Sequence, residues 1–200
     1  MHFLSDQLSD FIKSGIATVG RHSYGKVHLS TFQDETKLAI GSFTSIASAH
    51  VILGGGHNVK FVSTYPFFCN PHFSAYCTHP GSPHYPVSNG NVTIGNDVWI
   101  ASECTILSGV SIADGSVIGC GSVVTRSTRP YSVNVGNPCR EKYLRFTEEQ
   151  IHLLTSSNLK WWDLPDDKIA SLSPYLCSQD INYIINFLGK QHPSGNIVVF

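Results

Sequence analysis

Aliphatic residues recur at a fixed interval of six through the middle of the chain: Ile94, Ile100, Ile106, Ile112, Ile118 and Val124. A helix would repeat near 3.6 residues and an ordinary strand every 2. A period of six fits short flat strands joined by tight corners, each sending one aliphatic side chain inward. Three such sides close a triangular coil of 18 residues (three sides of six). Coils then stack at ~4.8 Å with their backbones paired in parallel. The residue after each aliphatic is small or short in most units: Gly95, Ala101, Ala113, Gly119, Thr125. The fourth residue after it is small or β-branched: Val98, Cys104, Val110, Ser116, Ser122, Thr128. A crowded corner requires that. Residues 94–129 therefore predict two coils.

The same phase recurs earlier, at Ile40-Gly41-Ser42, Ile46-Ala47-Ser48 and Ile52-Leu53-Gly54-Gly55, which predicts one more coil. Residues 16–39 suggest a degenerate first coil around Val19-Gly20, without a readable phase. Residues 58–91 break the repeat with aromatic, Pro, His and Cys residues. A structureless connection of that length is usually functional or disordered, and its aromatic content predicts that it packs onto something. The repeat ends at Arg129-Pro130-Tyr131. Thr147-Glu148-Glu149-Gln150 then reads as a capping box ahead of Ile151, Leu153 and Leu154. Pro165-Asp166-Asp167 opens a second helix. Ser178 is the expected cap of a third, with Gly189 just beyond its end.

Composition narrows the class. The chain has 200 residues, 42% hydrophobic and 14% charged, with a formal net charge of -1. That supplies a core and no basic face for nucleic acid. No apolar run approaches the ~20 residues of a membrane span. The N-terminus lacks the basic and apolar regions of a secretion signal, so a soluble, cytoplasmic protein is expected. The six cysteines are scattered and read as reduced thiols.

His57 is the sharpest chemical candidate. It closes Leu53-Gly54-Gly55-Gly56-His57, where the repeat gives way to the long loop. Glycines let backbone and ligand approach closely. A neutral imidazole there fits a general base, worth ~10²–10⁴ in rate; a structural loop histidine fits as well.

Longer stretches extend the picture: Ile40-Gly41-Ser42-Phe43-Thr44-Ser45-Ile46-Ala47, Gly55-Gly56-His57 and Val62-Ser63-Thr64-Tyr65-Pro66-Phe67. Ile94-Gly95-Asn96-Asp97-Val98-Trp99-Ile100, Gly136-Asn137-Pro138 and Trp161-Trp162-Asp163 continue it. Across roughly residues 19 to 190, the sequence resembles hexapeptide-repeat acyltransferases of the xenobiotic acetyltransferase branch. That branch includes class B chloramphenicol and streptogramin acetyltransferases. The resemblance implies an all-β core wound as a left-handed parallel β-helix, with a long excursion loop and a small C-terminal helical appendage. On this reading residues 1–145 form the coil domain with loop 58–91, 146–190 the appendage and 191–200 a tail. The resemblance implies acetyl-CoA as co-substrate with no metal, a homotrimer, and direct transfer to a small-molecule acceptor between subunits. In this reading His57 is the general base. Trp99, Ala101, Gly119, Asn137, Arg140 and Arg145 meet the cofactor, the two arginines through charge-assisted bonds to phosphate. Tyr65, Phe67 and Phe68 pack the acceptor.

Three departures stand out. Lys60 replaces an acidic residue that follows the histidine in the family. Phe61 stands where a tryptophan is usual, and Ser127 replaces an acidic residue after Thr125. The segment between Val19-Gly20-Arg21-His22-Ser23-Tyr24 and Ile40 is also shorter than in antibiotic-modifying members, which favours a sugar acceptor, nucleotide-linked or polysaccharide, over an antibiotic. Two other classes remain beside this reading. Cys69, His72, Cys77, His79 and His84 are ligand types at short spacing, which raises a zinc enzyme of γ-carbonic-anhydrase type, although that type takes its ligands from the coils and residues 94–129 hold no histidine. A non-enzymatic β-helix scaffold is the other.

Overall fold

A computed structural model of the chain describes residues 2–32, 35–74, 88–155 and 160–191. The chain divides into two compact units, Met1–Lys142 and Tyr143–Phe200.

The first unit is a three-sided parallel coil. Its first face stacks β1 (Ala17–Val19), β3 (Leu38–Ile40), β5 (Val92–Ile94) and β8 (Ser111–Ile112). The second face stacks the first residues of β2 (Tyr24–Ser30) and β4 (Ser45–Ile52) with β6 (Trp99–Ile100), β9 (Val117–Ile118) and β11 (Ser132–Val135). β2 and β4 turn the corner and continue on the third face, with β7 (Cys104–Leu107) and β10 (Val123–Val124). The register follows the repeat: Ile94 lies over Ile112, Ile100 over Ile118 and Ile106 over Val124. All six are buried, as are Val98, Cys104, Val110, Ser116 and Ser122 at the corners. A period of six places one apolar side chain per side on the coil axis, so the core is a column of aliphatics.

A second regularity makes the corners. The third residue after the aliphatic is left-handed in five consecutive units: Asp97 (φ 53), Glu103 (φ 58), Gly109 (φ 78), Gly115 (φ 67) and Gly121 (φ 69). His22 and Phe43 do the same after Val19 and Ile40. Glycine adopts this conformation without steric cost, and the other residues are held in it by the stacked rungs.

One phase expectation is corrected. Val51, not Ile52, occupies the inward position over Ile106, and Ile52 pairs with Leu107. The corner after Ile46 is one residue shorter than the corner after Ile100: Ala49 lies over Cys104 while Ile46 lies over Ile100. A one-residue slip exchanges the inward and outward sets. The first coil is also present: β1 pairs with β3 and β2 with β4. Two short helices, α1 (Leu4–Gln7) and α2 (Ser9–Lys13), precede it, and Leu4 and Leu8 join the buried column.

In the second unit α4 (Glu148–Thr155), α5 (Asp166–Leu176) and α6 (Ile181–Gln191) follow a short α3 (Pro71–Ser74) that belongs to the excursion of the first. The capping box forms reciprocally: Thr147 N–H donates to Gln150 Oε1 at 3.1 Å and Gln150 N–H to Thr147 Oγ1 at 3.2 Å. At α6 two expectations change. Asp180 Oδ1 accepts Asn182 N–H while Ser178 Oγ accepts Asp180 N–H, so Asp180 is the cap and Ser178 supports it. The helix also runs through Gly189 to Gln191. Ile151, Leu154, Trp162, Leu172, Ile181 and Ile184 are buried. Residues 192–200 of the expected tail lie outside the described residues. Among the described residues no helix is long and apolar enough to cross a membrane.

Candidate active site

His57 lies just beyond the end of the third face. Leu53 N–H still donates to Ser30 O at 3.0 Å, and then the chain leaves the coil. Gly55 (φ 81) lies against the Phe32 ring so closely that a Cβ would come within 2.3 Å of it, which explains a glycine there. His57 is exposed. Its Nδ1 lies 2.6 Å from the Thr64 carbonyl oxygen. A carbonyl only accepts, so Nδ1 carries the proton and Nε2 of the neutral ring carries the lone pair. That is the tautomer a general base needs.

The excursion returns to its starting point through one hydroxyl. Ser88 Oγ donates to Leu53 O at 2.6 Å and accepts from Thr36 Oγ1 at 3.0 Å and Gly90 N–H at 3.1 Å. Between these ends, Asn58 turns the chain by accepting Lys60 N–H on its side chain and Phe61 N–H on its carbonyl. Tyr65 and Phe67 stack at 4.7 Å, and Phe73 meets them at 6.4 and 5.2 Å. Asn70 Nδ2 donates to the Tyr65 hydroxyl at 2.7 Å. Tyr65, Phe67 and Phe73 pack on one another and stay exposed, and Phe68 is half-buried. Cys69 and His72 belong to this segment, whereas Cys77, His79 and His84 lie outside the described residues.

The residues expected to meet a cofactor fall into four places. Trp99 projects from the second face, 55% exposed, over Val117. Ala101 and Gly119 stack at the corner between the second and third faces, Ala101 N–H donating to Ile118 O and Gly119 N–H to Asn134 O. A Cβ at Gly119 would lie 2.7 Å from Val135 Cγ1, so a larger residue there displaces that side chain. Near the end of the coil, Arg140 and Arg126 line a hollow of about 120 Å³ with Ser127, Thr128 and Glu141. Arg140 Nη1 donates to Cys139 O at 2.7 Å. Asn137, exposed, precedes Pro138 through a cis peptide. Arg145 lies in the second unit, beside Phe146 with its guanidinium 5.3 Å from the ring centroid.

Within the first unit, His57 and the Ala101/Gly119 corner lie apart. His57 leaves the coil where the third face ends, and Ala101 and Gly119 mark where it begins. The four residues of β7 between those corners span ~13 Å at ~3.3 Å per residue. Two contributors escape a reading of side chains in sequence. The Thr64 carbonyl is a backbone group with no residue signature, and Ser88 acts at a distance of 35 positions from Leu53.

The bacterial transferase hexapeptide (six repeats) family model matches residues 91–126. A chloramphenicol acetyltransferase from Morganella morganii is 38% identical over 195 residues, covering 90% of each chain. A probable macrolide acetyltransferase from Lysinibacillus sphaericus is 37% identical over 145 residues, 72% of this chain and 78% of that one. Among solved structures, AntD, an N-acyltransferase from Bacillus cereus in complex with dTDP and 3-hydroxybutyryl-CoA, superposes with a TM-score of 0.50 at 18% identity. That match covers 78% of this chain and 71% of the other, a likeness of fold. Identity of that level over nine-tenths of both chains, together with the period-six match, decides the family: the chain belongs to the hexapeptide-repeat acetyltransferases, in the xenobiotic branch of the chloramphenicol acetyltransferases.

Proposed function

We propose that the chain transfers an acetyl group from acetyl-CoA directly to a hydroxyl or amine of a small acceptor, with His57 as the general base. One observation carries this: the Thr64 carbonyl holds the Nδ1 proton and so leaves the lone pair on Nε2. Nε2 takes the acceptor's O–H or N–H proton as that atom attacks the thioester carbonyl carbon. The C–S bond then breaks, and the imidazolium returns the proton to the departing thiolate. The thioester already has a good leaving group, so no covalent enzyme intermediate is needed. Trp99, Ala101 and Gly119 form the ridge for the pantetheine arm. Asn137, Arg140 and Arg145 are assigned to the far end of CoA, the arginines by charge.

The coil is left-handed and the assembly a homotrimer in this reading, with the helical segment 146–190 as an appendage to a coil domain 1–145. The separation of His57 from the ridge along the third face supports a site shared between copies, where His57 of one chain faces the ridge of another. Tyr65, Phe67 and Phe68 supply an aromatic wall for the acceptor. The cytoplasm, where acetyl-CoA is available, is the expected compartment.

A sugar, nucleotide-linked or polysaccharide, is the acceptor favoured by the short segment between Tyr24 and Ile40. An antibiotic is the second reading, favoured by the 38% identity to a chloramphenicol acetyltransferase. A thiol-release assay with acetyl-CoA against nucleotide sugars, maltose-type sugars, chloramphenicol and macrolides separates the two. Turnover on one class names it. His57→Ala is expected to lower that turnover by ~10²-fold or more; an unchanged rate overturns the assignment of the base.

A further inference from the structure

The outer surface of the third face carries a second group of chemistry-bearing residues that the transfer reaction does not use. His28 and His50 are direct register partners on the adjacent parallel strands β2 and β4. Their ring centroids are 4.7 Å apart and meet edge to face. Both line a groove of about 490 Å³ together with Lys26, Ser48, Glu103 and Thr105. His50 Nε2 lies 2.7 Å from Ser30 Oγ. Burial, and secondarily the neighbouring His28, lowers the His50 imidazole from its ordinary pKa.

We infer that His28 and His50 form a binding site for a borderline divalent transition ion of the Zn²⁺, Ni²⁺ or Cu²⁺ type. Neutral imidazoles are the preferred ligands of these ions, whereas Mg²⁺ and Ca²⁺ take oxygen. Two nitrogens bound to one ion at ~2.1 Å in tetrahedral geometry stand ~3.4 Å apart, a separation that neighbouring strands ~4.8 Å apart bring within side-chain rotation. Ser30 supplies the outer-shell contact that ligating histidines usually have. With Nε2 held by the hydroxyl, which can turn to accept a proton, Nδ1 is the nitrogen left for the ion. No third His, Cys, Asp or Glu among the described residues completes a ligand set. Water fills the remaining positions, and the ion is exchangeable, unlike one in a closed four-ligand structural site. Bound there, it staples the first coil to the second and stabilises the fold by mass action.

The test is calorimetric titration of the untagged full chain with NiCl₂, with MgCl₂ in a parallel arm, and thermal melts in each salt. Saturable Ni²⁺ binding at one ion per chain is expected, with a raised Tm and no response to Mg²⁺. His28→Ala and His50→Gln are each expected to weaken Ni²⁺ binding tenfold or more, about 1.4 kcal/mol, and to abolish the Tm shift. His57→Ala leaves both unchanged. Should the His50 variant fail to fold, His28→Ala carries the test alone, since His28 is exposed. Absence of saturable Ni²⁺ binding, equal binding by the His28 variant, or equal affinity for Mg²⁺ overturns the site.

Discussion

Side chains that are missing shape this molecule as much as those present. Gly25 (φ 131) lies so close to β4 that a Cβ would stand 1.7 Å from the Ile46 carbonyl oxygen. Gly121 (φ 69) has a left-handed backbone too, but nothing lies within 4 Å of its would-be Cβ. The same substitution therefore separates two costs. Gly121→Ala is expected to lose only the ~1–2 kcal/mol of left-handed strain. Gly25→Ala adds a backbone collision and is expected to lose more than ~3 kcal/mol. Urea unfolding midpoints of the two variants measure the difference, and equal losses would contradict the close approach of β2 and β4. Two buried thiols illustrate a related point. Burial pushes Cys104 and Cys139 above the usual thiol range, and Cys104 Sγ is spent on the carbonyls of Ala101 and Gly119, each at 3.3 Å. At this scale His57 was legible as a residue type in a glycine-rich setting. Its tautomer was not, because the partner that decides it is a peptide carbonyl.

The period of six made the later coils readable because every side spends one aliphatic on the axis. The first coil lacks that signature. Gly25 stands where Ile46 and Ile100 carry side chains, and part of the apolar surface comes instead from Leu4 on α1 and Leu8 between α1 and α2. The slip at Ile52 has a comparable cause, a corner shortened by one residue, which periodicity alone does not register. Helix starts were read better than helix ends. Both halves of the Thr147/Gln150 capping box are made, since the motif encodes its own hydrogen bonds. Thr147→Ala removes one of them and is expected to cost ~0.5–2 kcal/mol, localised to α4. Faster amide exchange over 148–152 with unchanged exchange in the coil is the expected pattern; uniform acceleration along the chain would mean that the box does more than cap.

For the whole molecule the decisive geometry is the width of the third face, which keeps His57 apart from the Ala101/Gly119 ridge. A site shared between copies makes a specific demand on mixed assemblies. His57→Ala and Ala101→Trp chains, each inactive alone, are expected to regain activity when unfolded together and refolded, because some interfaces then pair an intact ridge with an intact histidine. Sedimentation of the wild type at the mass of three chains accompanies that result, and failure to complement places both halves of the chemistry in one chain. The family was visible in ordered motifs spread along the chain, but the acceptor was not, since no single residue type encodes it. The Ser88 clasp on Leu53 bears on how such an acceptor preference can be changed. The Ser88 hydroxyl fastens the departure and return of the excursion to each other and to Thr36. A relative's excursion joined at the same two points is therefore expected to leave the coil folded, which lets an engineer treat the clasp as a fixed pair of graft points.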